Sequence, residues 1–243
     1  MTDQLEPMPT DWERALAIVA HPDDLEYGAA GAVAAWTREG RRVGYVLASR
    51  GEAGIDGIPP VESARLREGE QRSSAEIVGV SAVDFLDHRD GVIEYGLALR
   101  RDLTAAIRRY RPELVLLGNF ADTWPGGFWN SPDHRAVGRA GMDAVGDAGN
   151  RWIFPDLADA GLQPWPGVRY VAVAGSPQPS HAVDVTDTLE AAVASLQAHS
   201  GYLEGLGGEH PMADARGFLE WSYAISAPDF GGKLCATFQL YRM

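Results

Sequence analysis

Residues 21–26 read His21-Pro22-Asp23-Asp24-Leu25-Glu26 and directly follow the apolar run Ala15-Leu16-Ala17-Ile18-Val19-Ala20. An imidazole and adjacent carboxylates therefore sit on one turn at the end of a buried strand. His21 and Asp24 stand three positions apart, so a backbone that curls there can aim both at one ion, with Pro22 fixing φ. His134, in the second cluster Ser131-Pro132-Asp133-His134, can bring a third ligand. Two histidines and one aspartate plus water make an open zinc site. Zinc lowers the pKa of bound water to about 7, and Asp23 is then placed to take its proton. The same residues also read as an acidic helix N-terminus beside a hydrogen-bonded histidine. Spacing alone leaves both readings open.

The elements that must position these groups alternate. Continuous apolar runs at 16–20, 43–48, 83–86, 114–117, 170–174 and 182–185 lack period-2 alternation, as strands buried on both faces do. Between them lie helix patterns. Residues 26–39 end at Gly40 and 60–78 at Gly79, both C-cap signals. Residues 97–110 stop before Pro112, 133–145 follow Pro132, and 186–203 follow the last strand. Such alternation implies an α/β fold, a Rossmann-like three-layer sandwich with a mostly parallel sheet and right-handed crossovers. Ligands sit at the carboxyl ends of such sheets, where strand order reverses. His21 lies past the first of these strands and His134 past the fourth, so the site is expected there. Residues 119–130 carry Trp124, Phe128 and Trp129 and read as a pocket wall or as a loop anchored on the core. Residues 146–167 and 205–217 read as loops.

Composition bounds the rest. The chain has 243 residues, 45% of them hydrophobic, enough for one large domain, taken as 1–243. No apolar run reaches the roughly 20 residues of a membrane span, and residues 1–12 lack a signal-peptide pattern. The lone cysteine, Cys235, excludes an internal disulfide framework and a cysteine-based zinc site. These features point to a cytoplasmic protein without a membrane partner. The net charge of −13 repels phosphate backbones, so nucleic acid is not expected as a partner. An acidic turn where a glycine-rich phosphate loop would be needed argues against a nucleotide-binding fold of the same class.

The motifs, taken in order, resemble the LmbE/PIG-L superfamily of zinc-dependent de-N-acetylases. Ala20-His21-Pro22-Asp23-Asp24-Leu25-Glu26 is similar to its opening signature, and Gly51-Glu52-Ala53-Gly54 to its Gly-Glu loop. Arg67-Glu68-Gly69-Glu70 running to Val78-Gly79-Val80 resembles its Arg-x-x-Glu helix. Phe85-Leu86-Asp87-His88-Arg89-Asp90-Gly91 and Pro132-Asp133-His134 resemble the next strand-loop and the second metal motif. Val183-Asp184-Val185 and His199-Ser200 resemble its C-terminal part, so the match spans about 15–200. The resemblance implies Zn2+, or another divalent ion, on His21, Asp24 and His134, with Asp23 as general base. It implies that Arg67 and Asp90 contact a sugar, and that the reaction is hydrolysis of an N-acyl group, acetyl on an amino sugar above all. The partner is then a small N-acylated molecule; the oligomeric state stays open, a homo-oligomer included.

Two positions depart from the family pattern. Ser131 stands where the family has a histidine that stabilises the oxyanion, and Trp129 stands where sugar deacetylases have a tyrosine. Losing an oxyanion donor costs about 10²–10³ in rate unless something replaces it. Ser131 itself and His181 are the candidate replacements. Two other readings remain: an amidase on a thiol conjugate or natural-product amide, and a member that binds metal or ligand without turnover.

Overall fold

The apolar runs become strands because they have layers of side chains to meet on both faces. The computed structural model describes residues 4–243. Its strands are β1 (Glu6–Pro7), β2 (Arg14–Val19), β3 (Arg42–Leu47), β4 (Ala82–Phe85), β5 (Leu114–Gly118), β6 (Tyr170–Ala174), β7 (His181–Asp184) and β8 (Cys235–Arg242). All belong to one sheet in the spatial order β1-β7-β8-β6-β5-β2-β3-β4. Only β8 runs antiparallel to its neighbours. Its helices are α1 (Ala30–Arg38), α2 (Pro60–Ile77), α3 (Leu97–Tyr110), α4 (Pro132–Gly149), α5 (Pro155–Asp159), α6 (Leu189–Gln197), α7 (Ser200–Leu206) and α8 (Ala215–Ile225).

The two-residue period of a strand splits each run between two cores. Ala15, Ala17 and Val19 of β2 join Tyr45, Leu47, Leu114 and Leu116 under α1, α2, α6 and α8. Leu16 and Ile18 join Val46, Val115 and Leu117 under α3 and α4. The result is the three-layer α/β sandwich expected. From β2 the chain builds outward through β3 and β4, then returns to place β5 on the other side of β2. Register puts Ala15 beside Leu114 and Ile18 beside Leu117, so β2 and β5 end level. The crevice beyond their carboxyl ends is the reversal point, and His21 and His134 follow those ends.

Some boundaries differ, for local reasons. The helix expected at 26–39 begins only at Ala30, because residues 21–29 are spent on turns. Within them Asp23 has φ +86°, and Asp24 Oδ2 accepts the N–H groups of Ala20 and His21 at 3.0 and 2.9 Å. The helix expected at 186–203 breaks at His199, whose ψ of 47° is not helical. The short α5 and the whole of α8 arise in stretches that read as loops or carried no pattern. β8 presents no apolar run, because it is partly exposed and mixes polar with apolar residues from Cys235 to Arg242.

Candidate metal centre and active site

Three ligand atoms converge past the ends of β2 and β5. His134 Nε2 lies 3.0 Å from Asp24 Oδ1 and 3.2 Å from His21 Nδ1, and His21 Nδ1 lies 3.6 Å from Asp24 Oδ1. Atoms bound tetrahedrally to zinc at about 2.1 Å lie about 3.4 Å apart, so the triangle fits an ion of that size. Every other side-chain polar atom of the three residues is already engaged. Asp24 Oδ2 takes the two backbone donors above. His134 Nδ1 lies 2.9 Å from Asn130 Oδ1, which can only accept. His21 Nε2 lies 3.0 Å from Asp90 Oδ1 and 3.2 Å from Asp133 Oδ2. Carbonyl or carboxylate acceptors on the far ring nitrogens fix the tautomers that leave Nδ1 of His21 and Nε2 of His134 as lone pairs. With an ion bound, the donor set would be two imidazole nitrogens and one carboxylate oxygen, aimed at one point.

Without an ion, the acidic surroundings favour a proton on His21 instead. Burial works against a charged His21, but Asp24, Asp133 and Asp90 outweigh it and raise its pKa well above the usual value. Burial likewise opposes ionisation of Asp24, and His134 and His21 overcome it, holding the carboxyl well below its usual range. A divalent ion would satisfy the same electrostatic demand.

Asp23 sits beside the ligands on the same turn. Burial raises its pKa to about 6, opposed by Arg67 and reinforced by Asp24. Its carboxylate accepts from Arg67 Nη2 at 3.0 Å. The other Arg67 bonds run to the carbonyls of Gly51 (2.9 Å) and Pro22 (2.7 Å), and its guanidinium lies 4.4 Å from the centroid of Tyr202. Gly51 and Gly54 explain the Gly-Glu loop: a Cβ at either would overlap that guanidinium, and Gly51 also holds φ +66°. Glu52 serves the same loop, accepting the Asp90 N–H at 3.0 Å.

Several expected residues take other places. Arg67, expected against a sugar, is only 2% exposed and grips Asp23 instead, because α2 passes behind the turn. Asp90, expected in the same role, supports His21 and accepts the Ala53 N–H at 2.8 Å. Ser131 caps α4, accepting the Asp133 N–H at 3.2 Å, one turn before His134. Trp129 is 69% exposed on the loop above, under the Arg135 guanidinium. His181 does not join the centre. It opens β7, beyond β8 and β6 as seen from β5, and meets Ser180 Oγ at 2.9 Å and Glu6.

Other residues of the site went unassigned. Asp133 is fully buried and accepts from the N–H groups of Gly91 (2.7 Å) and Ile93 (3.0 Å) while facing His21. Asn130 ties His134 to the aromatic loop, donating to the carbonyls of Asn119 and Ala121 at 2.8 and 2.9 Å. Trp124 packs edge-on against His134, centroids 5.7 Å apart. The signal for Asn130 and Asp133 was their place around the helix start that carries His134.

The fold and this centre define a class, an α/β protein with a candidate metal site at the sheet's reversal point, and the comparisons with known proteins place the chain in a family. The chain belongs to the PIG-L family, described as GlcNAc-PI de-N-acetylase, whose pattern matches residues 16–145. A diacetylchitobiose deacetylase of Thermococcus kodakarensis is 34% identical over 191 residues, 78% of this chain and 70% of that protein. A probable N-acetyl-alpha-D-glucosaminyl L-malate deacetylase 2 of Bacillus anthracis is 30% identical over 54% of this chain and 58% of its own length. Among solved structures, the N,N'-diacetylchitobiose deacetylase of Pyrococcus horikoshii superposes with TM-score 0.84 at 24% identity, covering 95% of this chain and 84% of that one. The fold alone does not decide the chemistry. A 4-carboxy-2-hydroxymuconate hydratase from Pseudomonas putida superposes with TM-score 0.74 at 20% identity, covering 95% and 96% of the two chains. Among the described residues no helix is long and apolar enough to cross a membrane.

Proposed function

We propose that this protein is a zinc-dependent hydrolase that removes an acetyl group from the nitrogen of an amino-sugar-containing small molecule. The observation that carries the reading is the convergence of His21 Nδ1, His134 Nε2 and Asp24 Oδ1, with every other side-chain polar atom of those residues tied off. The deacetylases among the relatives supply the reaction class. Bound there, zinc would supply Lewis acidity toward the amide carbonyl and a more acidic water.

The chain's own residues do the rest. Asp23, with a pKa of about 6 before any cation lowers it, takes the proton of the attacking water and returns it to the leaving nitrogen. Arg67 holds one oxygen of that carboxylate and so fixes its direction. Ser131 uses a lone pair on the Asp133 N–H and keeps its own proton, which it can donate to the oxygen that gains charge. Trp129 offers an exposed aromatic face to a sugar ring.

The test is acetate release from N-acetylglucosamine and N,N'-diacetylchitobiose. Purified protein should carry about one zinc per chain. A chelator should abolish activity and zinc should restore it. Asp23→Asn should keep the metal and lose turnover. Zinc-loaded wild type that binds these sugars without releasing acetate would replace the hydrolase by a binding protein.

A further inference from the structure

Glu26 touches none of the three ligand atoms, yet its side chain is a carboxylate with 0% exposure. A buried carboxylate is costly unless its environment uses it. Its Oε1 accepts from Ser74 Oγ at 2.6 Å and from Gln71 Nε2 at 2.8 Å. Its Oε2 faces the equally buried His199 Nε2 at 3.6 Å. The other end of Gln71 reaches the catalytic turn, where Gln71 Oε1 accepts the backbone N–H of Asp23 at 3.1 Å.

The polarity of this chain of bonds is fixed at both ends. A backbone N–H only donates, and a carboxylate between two donors accepts. Gln71 therefore has one amide orientation that satisfies both neighbours. The reverse would set NH2 against N–H at Asp23 and oxygen against oxygen at Glu26. This matters because Asp23 is held at φ +86°, a conformation that side chains of L residues avoid. The carbonyl of Asp23 is pinned as well, accepting from the N–H groups of Glu26 (2.9 Å) and Tyr27 (3.2 Å). With both flanking peptide groups held, the Cα–Cβ bond of Asp23 has one direction, and Arg67 Nη2 at 3.0 Å holds the carboxylate along it.

We propose that Glu26 is a positioning residue for Asp23, acting through Gln71: the carboxylate sets the amide, and the amide oxygen keeps Asp23 in its left-handed conformation beside the metal ligands. The inference rests on Asp23 being the base. It makes Glu26 and Gln71 contributors to turnover although neither touches the ligand atoms.

Three variants separate this role from packing and from charge. Gln71→Met breaks the middle of the chain and removes no charge. Glu26→Met keeps shape only. Glu26→Gln keeps shape and an acceptor for Gln71 but removes the charge. Two readouts are used, hydrogen exchange of the Asp23 amide and steady-state kinetics of the zinc-loaded protein on N,N'-diacetylchitobiose. Exchange at Asp23 is expected to quicken about tenfold in both Met variants, while Glu26→Gln stays near wild type. In the same two Met variants kcat should fall about a hundredfold, with KM and zinc affinity near wild type. The double Met variant should be no worse than either single one, since both break one path. Unchanged Asp23 exchange in Gln71→Met overturns the proposal. So does a Glu26→Gln variant as impaired as Glu26→Met, which would assign the effect to charge. If Glu26→Met does not fold, Gln71→Met decides. If wild type shows no turnover, the deacetylase reading fails and the exchange measurement still decides this one.

Discussion

Replacing Asp133 by Asn probes how the candidate metal ligands are held. Asp133 serves three donors from inside the protein: Gly91 N–H at 2.7 Å, Ile93 N–H at 3.0 Å and His21 Nε2 at 3.2 Å. Asparagine has the same shape but one acceptor oxygen. With that oxygen toward Gly91 and His21, the Ile93 N–H meets an NH2 group and loses its partner. An unsatisfied buried donor costs about 1–3 kcal/mol of stability. His21 also loses a charged acceptor, and removing such a partner weakens metal binding by about 10- to 100-fold. Asp90 still faces the same nitrogen at 3.0 Å, so the loss for Asp133→Asn belongs near the lower end, about tenfold. The combined Asp90→Asn, Asp133→Asn variant should lie at the upper end. Competition with a chromophoric zinc chelator measures affinity, and urea unfolding of the apo-protein measures stability. Zinc affinity equal to wild type in the combined variant, with His21→Ala still abolishing binding, would refute the claim that these carboxylates orient His21.

Two further outcomes follow from the same turn. Asp23→Gly and Asp23→Ala remove the same carboxylate and differ at residue 23 only in backbone freedom. At φ +86° glycine carries no Cβ penalty, so the glycine variant should be the more stable by about 1–2 kcal/mol in urea unfolding, both being inactive. Equal stabilities would mean that residue 23 is not held left-handed in solution. The second outcome concerns His199. Burial disfavours its charged form, but the Glu26 carboxylate 3.6 Å away outweighs this, and its pKa is raised. A raised histidine stabilises fully below its unfolded pKa of about 6.5, and that stabilisation is lost as pH rises through the higher folded value. The stability gap between wild type and His199→Gln should therefore be widest on the acid side of neutrality and shrink toward alkaline pH. A gap independent of pH would show that His199 is neutral throughout.

What the sequence made legible were the features that repeat or concentrate. Buried strands announce themselves as unbroken apolar runs, and the runs at 16–20 and 114–117 match β2 and β5 to within two residues. The convergence of His21, Asp24 and His134 was legible because each follows a strand of that kind. The contacts that Arg67 and Asp90 make within the protein were not. Whether a charged residue on a helix or loop faces substrate or faces the back of a neighbouring turn depends on which side α2 passes, and no local pattern encodes that. His181 misled for a related reason. It lies level with the carboxyl end of β6, pairing with Phe238 as Ala174 does, but the insertion of antiparallel β8 carries it sideways along the sheet. β8 comes last in sequence, so its effect on β7 could not be read from residues near His181.

Other local exceptions lie elsewhere, Arg111 and Phe154 at positive φ among them, but several are gathered around the turn at 21–26, and that gathering is itself informative. Asp23 adopts a conformation suited to glycine, Glu26 and His199 are charged-type side chains without solvent, and Arg67 is buried with its fork turned inward. Each is unfavourable alone, of the order of 1–3 kcal/mol for backbone strain such as that at Asp23. None is needed to close the sheet, since β2 already ends at Val19 and the cores beneath it are filled by alanine, valine and leucine. A turn selected only for stability would place glycine at 23 and apolar residues at 26 and 67. The chain instead holds an aspartate in a strained position by bonds to its N–H, its carbonyl and its side chain, from Gln71, the following turn and Arg67. Strain restrained from three directions, one residue from a ligand triad, is what a site needs when the direction of a single carboxylate decides whether a proton moves.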